Sequence, residues 1–235
     1  MICAITGGGG ALGGALAETL VASGAKVALF DTEHGRARLD ALVDKLGKNA
    51  YAHTGDFAEN TTWRAALEGT KVALGDAPTH AALIAGAWAG GEALHAAKDD
   101  AAYAMMMRVN VDTVYRALRV LLPDMVAKKA GSIVVVGSRA AVQPWTSAKA
   151  SAYAASKAAV VAMAQAVAQE VLDDGVRINA ILPSTMDTPS NRKAMPDVDP
   201  KKWVSLPSAA GVIAFLLSDA ARDVSGALVP VYGRS

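Results

Sequence analysis

The sequence predicts a three-layer α/β/α fold in which helices cover both faces of a parallel sheet. Short apolar runs alternate with longer helical segments along the 235 residues, a pattern typical of βαβ units. Runs such as residues 132–137 are apolar at consecutive positions, which indicates strands buried on both faces. Apolar residues make up 52% of the chain but aromatic residues only 5%, which favours closely packed helices over a β-sandwich.

The predicted elements follow in order. Strands are predicted where short apolar runs are bounded by polar or glycine residues: residues 2–6, 26–31, 49–54, 80–85, 132–137, 176–182 and 227–231. Between them lie predicted helices: one that carries Leu12, Leu16 and Leu20 and ends at Ser23-Gly24, and others over residues 33–47, about 58–74, about 99–123, 150–173 and about 207–218. This alternation implies right-handed crossovers and a parallel sheet.

One domain over residues 1–235 is expected, because the chain shows no second core, repeat or low-complexity linker. The polar, proline-rich segment 183–207 is too long for an ordinary connection. We therefore expect it to be functional.

The composition argues against several classes of protein. The net charge is +1, with both signs interspersed, so nucleic acid is not an expected partner. Cys3 has no second cysteine to pair with, which fits a reducing compartment. The first residues lack the basic start of a signal peptide, and no apolar stretch is long enough to cross a bilayer. The expected location is the cytoplasm, without membrane association.

The glycine-rich segment 6–14 joins the first predicted strand to the first helix. In a parallel sheet this turn lies at the carboxyl edge, where ligands bind. Glycines let the backbone approach a pyrophosphate, and the helix N-terminus offers free N–H groups to it. The alternative is a flexible turn that binds no ligand.

Asp31 ends the second predicted strand, eighteen residues after Gly13. A carboxylate at this point can accept hydrogen bonds from adenosine ribose hydroxyls and would repel a 2′-phosphate. It could also cap the next helix. Arg36 and Arg38 leave room for NADP, but neither directly follows the strand. NAD(H) is therefore the predicted cofactor, in preference to NADP(H).

Tyr153 and Lys157 are four residues apart on a predicted helix that is otherwise rich in Ala, Val and Met. They share one helix face. An ammonium beside the phenol would lower the tyrosine pKa from about 10, which would give an acid/base usable near neutral pH. The alternative is a polar pair on a solvated face.

Ser138 directly follows the fifth predicted strand, where its hydroxyl could hydrogen-bond a substrate oxygen. The surrounding VGSRA lacks the second glycine of a nucleophile elbow, so a serine hydrolase is not indicated. Asn110 lies within the apolar stripe of the long helix, and a buried amide there must be hydrogen-bonded; it could be a structural tie or part of a proton relay. The histidines and carboxylates show no metal-ligand spacing, and no metal is expected.

In this order, these residues resemble the classical short-chain dehydrogenase/reductase family over nearly the whole chain. The family's TGxxx[AG]xG turn matches Thr6, Gly7, Ala11 and Gly13, and its other motifs match Asp31, Asp56-Phe57, the tetrad Asn110, Ser138, Tyr153 and Lys157, and Pro183-Ser184 with Thr188. The resemblance implies a Rossmann-type, doubly wound sheet of seven parallel strands. It also implies an NAD(P)-dependent oxidoreductase of CH–OH groups that forms a homodimer or homotetramer through its long helices.

The resemblance also implies roles for the residues. Tyr153 would transfer the proton, Lys157 would bind the nicotinamide ribose and depress the tyrosine pKa, Ser138 would hold the substrate oxygen, and Asn110 would carry a water-linked relay. The implied cofactor-binding residues are Thr6, Gly7, Gly10, Ala11, Leu12, Gly13, Asp31, Asp56, Phe57, Ala85, Gly86, Tyr153, Lys157, Pro183, Ser184, Met186 and Thr188.

The chain departs from the family pattern in two places. The family's Asn-Asn-Ala-Gly reads Leu-Ile-Ala-Gly at residues 83–86, and its Pro-Gly turn reads Pro183-Ser184. Segments 7–13, 85–91 and 185–199 are similar to dihydropteridine reductase, which makes reduction of a pterin ring an alternative. A nucleotide-sensing binding protein without catalysis is an alternative of another class, against which the Tyr–Lys pair argues.

A small-molecule carbonyl or alcohol is the expected substrate. The predicted walls of its pocket are Trp88, Arg139, Trp145, Met186, Asn191, Arg192 and Trp203. Tryptophans would suit a planar or ring-containing substrate, although ordinary loop packing would also explain them. The basic Arg192-Lys193 pair would face an anionic group or water. Residues 184–205 are predicted to form a lid that orders when the cofactor binds.

Overall fold

The computed structural model describes residues 1–234 and contains a seven-stranded parallel sheet, as predicted. Its strands are β1 (Ile2–Thr6), β2 (Lys26–Asp31), β3 (Ala50–Thr54), β4 (His80–Leu83), β5 (Gly131–Val136), β6 (Val176–Pro183) and β7 (Leu228–Val231). Their spatial order is β3-β2-β1-β4-β5-β6-β7, and each neighbouring pair is parallel. The order reverses between β1 and β4, and the carboxyl ends of strands at such a point form a ligand-binding crevice.

Helices cover both faces of this sheet. They are α1 (Ala11–Ala22), α2 (Arg36–Leu46), α3 (Asn60–Leu74), α4 (Ala101–Met106), α5 (Thr113–Ala127), α6 (Ser151–Glu170), α7 (Pro189–Ala194) and α8 (Leu206–Leu217). On one face α3, α5 and α6 build a core that includes Trp63, Leu121 and Val160. On the other face α1, α2 and α8 bury Leu16, Leu39 and Ile213. The three-layer prediction is therefore confirmed. Within residues 1–234 no helix is both long and apolar enough to span a membrane.

The long predicted helix 99–123 differs from the structure at its end, because α5 continues through Pro123 to Ala127. A proline inside a helix removes one backbone hydrogen bond and costs about 3 kcal/mol. The last turn of α5 nevertheless places Met125 in the core, where it is fully buried. Burial of such a side chain contributes about 1.5–3 kcal/mol, which helps to offset the proline.

The same predicted helix is interrupted by a π-helical segment, Met107–Asp112, between α4 and α5. The wider π turn shifts the inward face, so that Met106 is fully buried while Met107 is only half-buried and Tyr103 is exposed. A regular α-helix would place Tyr103 and Met107 on the same inward apolar face as Asn110, and the π turn is the reason that neither of them is fully buried. Asn110 does lie inward, with no exposed surface.

Candidate active site

A groove at the carboxyl edge of the sheet encloses about 760 Å³. Most of the predicted cofactor-binding residues line it: Thr6, Gly7, Gly10, Ala11, Leu12, Gly13, Asp31, Asp56, Phe57, Ala85, Gly86, Met186 and Thr188. The predicted residues Tyr153, Lys157, Pro183 and Ser184 do not line it. The volume lies within the range of ligand pockets.

The glycine turn is packed too tightly to tolerate side chains. A Cβ on Gly13 would overlap the carbonyl oxygen of Gly7. The backbone of Gly7 itself has a φ of +69°, in the left-handed region. The Gly7 carbonyl accepts the N–H of Gly10 at 3.0 Å. No side chain caps the N-terminus of α1, whose N-cap is Gly10, and no acidic residue occupies its first turn. The first N–H groups of the helix are therefore suited to a phosphate.

Asp31 fastens this turn to the end of β2. Its carboxylate accepts the backbone N–H of Gly9 at 2.9 Å and that of Thr32 at 2.7 Å. It does not cap the next helix, because Gly35 is the N-cap of α2. The capping alternative was wrong, since a short 3-10 turn intervenes between β2 and α2. The carboxylate remains in the wall of the groove.

Asp56 and Phe57 occupy the far end of the groove. The carboxylate of Asp56 accepts the N–H of Ala58 at 2.9 Å and pairs with Arg108 at 2.5 Å. The backbone hydrogen bond and then the guanidinium hold the pKa of Asp56 below its usual range. Phe57 is buried and stacks on Phe30 at 5.2 Å. Arg108 therefore links the π segment to the segment after β3 across this end of the groove.

Hydrogen bonds from backbone N–H groups to the Thr6 hydroxyl stabilise the turn after β4, where the sequence departs from the family pattern. The Thr6 hydroxyl accepts the N–H groups of Ile84 and Ala85 at 3.0 and 3.1 Å. This arrangement joins the ends of β1 and β4 without a side-chain amide in the turn.

Tyr153 and Lys157 lie on α6 beside the end of β5. The Lys157 ammonium is buried and donates to the carbonyl of Val136 at 2.9 Å. Burial lowers the pKa of Lys157 to about 8. The solvated-face alternative is therefore wrong for Lys157.

The expected depression of the tyrosine pKa is not found. Burial raises the pKa of Tyr153 above its usual value of 10.0, and a hydrogen bond with the Ser138 hydroxyl opposes this only in part. Lys157 is occupied by the carbonyl of Val136. Ser138 itself is buried, and its oxygen also accepts the N–H of Ala140 at 3.2 Å.

Asn110 ties the π segment to two neighbouring elements. Its Oδ1 accepts the N–H of Ala87 at 2.8 Å, and its Nδ2 donates to the carbonyl of the same residue at 3.1 Å. Nδ2 also donates to the Ser156 hydroxyl on α6 at 2.9 Å. The side chain is therefore a structural tie, and the relay remains a prediction. A π turn of this kind often marks a functional site.

The sequence profile described as short chain dehydrogenase matches residues 1–199. The chain belongs to the short-chain dehydrogenase family. It is thus an oxidoreductase of a family whose members act on alcohol and ketone substrates.

Two short-chain dehydrogenase relatives match almost the whole chain. 2,5-Dichloro-2,5-cyclohexadiene-1,4-diol dehydrogenase LinX of Sphingobium indicum is 30% identical over 99% of this chain and 94% of its own length. The L-tagatose-forming galactitol 2-dehydrogenase of Cereibacter sphaeroides is 34% identical over 98% of this chain and 92% of its own length.

Solved structures of the family agree with the fold. Levodione reductase superposes with a TM-score of 0.88 at 28% identity and covers 99% of this chain and 96% of its own. A 3-ketoacyl-(acyl-carrier-protein) reductase from Brucella melitensis, complexed with NADH, gives a TM-score of 0.87 at 26% identity, covering 100% of this chain and 98% of its own.

The predicted substrate wall of this short-chain dehydrogenase is not brought together in the groove. Of its members only Met186 lines the groove, and Asn191 donates to the Met186 carbonyl at 2.8 Å. Trp88 and Trp145 are 62% and 74% exposed, whereas Trp203 is buried. The substrate wall therefore remains a prediction.

Two arginines of the predicted substrate wall have partners within the chain. The guanidinium of Arg139 lies over the ring of Tyr232 at 5.6 Å. Arg192 pairs with Asp187 at 2.6 Å, rather than facing only water.

Sequence reasoning missed several groove residues of this family member: Phe30, Thr32, Glu33, His34, Gly55, Ala58, Ile84, Arg108, Val109 and Thr113. Arg38, which also lines the groove, was considered only as a residue that would accommodate NADP. Ser156 was also missed, although a polar residue between Tyr153 and Lys157 on an Ala-rich helix was a usable signal. No comparable signal exists for Arg108, because only the π turn shows which face it occupies.

Gly86 separates two members of the tetrad, and we expect its replacement by alanine to impair catalysis. An added Cβ would lie 2.8 Å from Oδ1 of Asn110 and 3.2 Å from Nζ of Lys157. Because small displacements of catalytic groups are costly, kcat should fall about 100-fold in Gly86→Ala. Overpacking should lower the free energy of unfolding by about 1–3 kcal/mol. Steady-state kinetics and urea denaturation measure both effects.

Gly211→Ala is the matched control, because an added Cβ there meets no atom within 4 Å. Since Gly211 lies inside α8, alanine should stabilise the protein by about 1 kcal/mol and leave kcat unchanged. Wild-type turnover in Gly86→Ala would contradict the crowding of Asn110 and Lys157.

Proposed function

We propose that the protein is an NAD(H)-dependent oxidoreductase that interconverts a small carbonyl and an alcohol, with Tyr153 as the general acid and base. The observation that supports this proposal is that the tetrad residues lie in two close pairs, one of which lies directly behind the groove wall. Gly86, in the groove wall, would contact both Asn110 and Lys157 through a single added atom. Ser138 hydrogen-bonds Tyr153 in the same region.

The groove fits a dinucleotide on its own chemistry. The close-packed turn at Gly13 admits a phosphate near the backbone, and the uncapped start of α1 offers N–H groups to it. Asp31 supplies a carboxylate for the adenosine ribose. When bound, the nicotinamide dinucleotide supplies or accepts the hydride.

The side chains of the tetrad account for the proton. In the reduction direction the Tyr153 hydroxyl donates its proton to the carbonyl oxygen, which the Ser138 hydroxyl orients by hydrogen bonding. In oxidation the phenolate takes the proton of the alcohol. The buried Lys157 ammonium, which donates to the carbonyl of Val136, would bind the nicotinamide ribose, and Asn110 fixes the π segment against α6.

A substrate screen tests the proposal. Secondary alcohols, ketones and quinonoid dihydropterin are assayed with NAD(H) and with NADP(H) by nicotinamide absorbance. Turnover of an alcohol–ketone pair with NAD(H) is expected. Turnover of the dihydropterin alone would favour pterin reduction, and NADH binding without any turnover would favour a sensor. The relatives named as diol and galactitol dehydrogenases support hydroxylated substrates for the first round.

Cytoplasmic location, a single domain over residues 1–235 and a lid over residues 184–205 belong to the same proposal. Met186 and Thr188, near the start of the proposed lid, line the groove, which supports a lid at this position.

The assembly is proposed to be a homodimer or homotetramer joined through α5 and α6. A second groove of about 640 Å³ lies between these helices. Its apolar lining includes Leu118, Leu122, Val126, Met163 and Val167. A second copy of the same two helices would cover it.

Ala166→Glu is expected to convert this oligomer to monomers, because Ala166 is exposed in the groove wall and a buried unpaired carboxylate is unfavourable. Light scattering after size-exclusion chromatography gives the mass. Ala41→Glu on the exposed side of α2 is the control and should leave the mass unchanged. An unchanged mass in Ala166→Glu would place the interface elsewhere.

A further inference from the structure

The turn after β2 places a second carboxylate beside Asp31 in the wall of the groove. Residues 31–34 all line the groove, so Glu33 is close to the position expected for the adenosine ribose. Its carboxylate is exposed, with 61% of the side chain accessible.

Glu33 holds the guanidinium of Arg36 in a two-point contact. Nε of Arg36 donates to Oε2 at 2.8 Å and Nη2 donates to Oε1 at 2.9 Å. The Thr54 hydroxyl at the end of β3 donates to Oε1 at 2.5 Å and also accepts from Arg36. Such a fork leaves fewer guanidinium donors for another anion.

The carboxyl group of Glu33 is ionised at neutral pH. Its hydrogen bonds from Arg36 and then Thr54 lower its pKa to about 2. Other groups near the pair are Asp40 on α2, which acts on Arg36, and His53 on β3, whose own pKa is lowered chiefly by burial. The carboxylate of Glu33 thus faces the groove as a fixed negative charge.

The other nearby arginine has a different task. Nε of Arg38 donates to the carbonyl of Gly9 at 2.7 Å, while the N–H of Gly9 donates to Asp31. Arg38 and Asp31 therefore hold the two ends of the Gly9 peptide unit, its carbonyl and its N–H, in the glycine turn. Arg36 is the cation whose position depends on Glu33.

We propose that Glu33 is a specificity-determining residue that keeps a latent 2′-phosphate subsite closed by holding Arg36 away from the groove. The inference rests on the proposed dinucleotide function and deepens it. A 2′-phosphate needs a guanidinium fork or an ammonium to neutralise it. Here it would meet Asp31 and Glu33. Arg36 is bound to Glu33, and Arg38, which also lines the groove, donates through Nε to the carbonyl of Gly9.

Two nucleotides that differ only in the 2′-phosphate test the role directly. Adenosine 2′,5′-bisphosphate and adenosine 5′-monophosphate are titrated into the full-length protein by isothermal calorimetry at low ionic strength, so that no turnover is needed. Glu33→Gln is expected to bind the bisphosphate about tenfold more tightly than the wild type, an effect of the size of one charge-assisted contact. Affinity for the monophosphate should change less than about twofold.

The double variant Glu33→Gln/Arg36→Gln shows whether Arg36 causes the increase in affinity for the bisphosphate. If Arg36 is the released cation, the second substitution should return the bisphosphate affinity to about the wild-type value. Glu68→Gln, an exposed carboxylate on α3 outside the groove, makes the same change in net charge. It should alter neither affinity, and the gain in Glu33→Gln should shrink at high salt.

The outcomes separate the two proposals. If the monophosphate fails to bind the wild-type protein, the dinucleotide function is wrong. If it binds but Glu33→Gln gains nothing for the bisphosphate, or the gain survives loss of Arg36, only the role of Glu33 is overturned. Equal gains in Glu33→Gln and Glu68→Gln would likewise overturn it, since net charge alone would then suffice.

Discussion

Tyr153→Phe is expected to lower kcat by about 100- to 10,000-fold, the usual contribution of general acid–base catalysis. The substitution removes one hydroxyl and keeps the ring, so the packing of α6 should persist. NADH affinity should stay within about twofold, because the glycine turn and Asp31 are untouched. Turnover is followed by absorbance and NADH binding by fluorescence titration.

Tyr103→Phe provides the matched control, because its side chain is 55% exposed on α4. It should leave turnover and binding unchanged. Wild-type turnover in Tyr153→Phe would remove the tyrosine from the mechanism. Loss of NADH binding with normal folding would instead make it a binding residue.

The pKa of Tyr153 gives this prediction a pH dependence. Because burial raises that pKa above 10.0, the free protein carries a protonated phenol at neutral pH, ready to donate in reduction. Oxidation needs the phenolate and should therefore accelerate as pH rises, whereas reduction should slow once the phenol ionises. The two directions should respond oppositely in the wild type.

Lys157→Met is expected to abolish most activity and yet to stabilise the protein by about 2 kcal/mol at pH 7. Burial lowers the pKa of Lys157 from 10.5 to about 8, so keeping it charged in the fold costs on the order of 3 kcal/mol. The hydrogen bond to Val136 returns about 1 kcal/mol. Methionine fills similar volume without either contribution.

The sign of the pH dependence follows from linkage. Between pH 8 and 10 the unfolded chain binds the Lys157 proton more tightly than the folded chain does, so unfolding free energy rises with pH. Below pH 8 the cost of the buried charge is present in full. In Lys157→Met the unfolding free energy should not rise with pH in this way. Urea denaturation at about pH 7, about pH 8.5 and about pH 10 measures the difference.

An exposed lysine serves as the control for this series. Lys48→Met, at an exposed position in the 3-10 turn after α2, should keep both the activity and the pH slope of the wild type. A destabilised Lys157→Met with an unchanged slope would contradict the cost assigned to the buried ammonium.

The strands were predictable because burial on both faces leaves a simple signature. β1 and β2 begin and end at the predicted residues, since each is a continuous apolar run between polar or glycine residues. The predicted strand 80–85 stops at Leu83 instead. The next two residues turn so that their N–H groups reach Thr6, a contact across 78 positions that no local pattern contains.

The site was predictable where function is tied to strand ends. Asp31, Ser138 and Gly7 lie at such ends or in the turn that follows, so the topology alone brings them to one edge. Glu33 and Arg108 were not predictable, because their positions depend on a 3-10 turn and a π turn. Trp88 and Trp145 are exposed, and residue type alone does not tell a pocket wall from a surface, so their role stays a prediction.

Because of the π segment, the number of residues between α4 and α5 decides which side chains face the site. It accommodates one residue more than a regular α-helix would need, and each helical residue turns by about 100°. Deleting one residue within Met107–Asp112 would restore an unbroken helix while rotating α4 relative to α5. Either Asn110 or Met106 would then leave the interior, although every tetrad residue type survived. The number of residues in this helix is therefore constrained as strictly as the identity of the tetrad side chains.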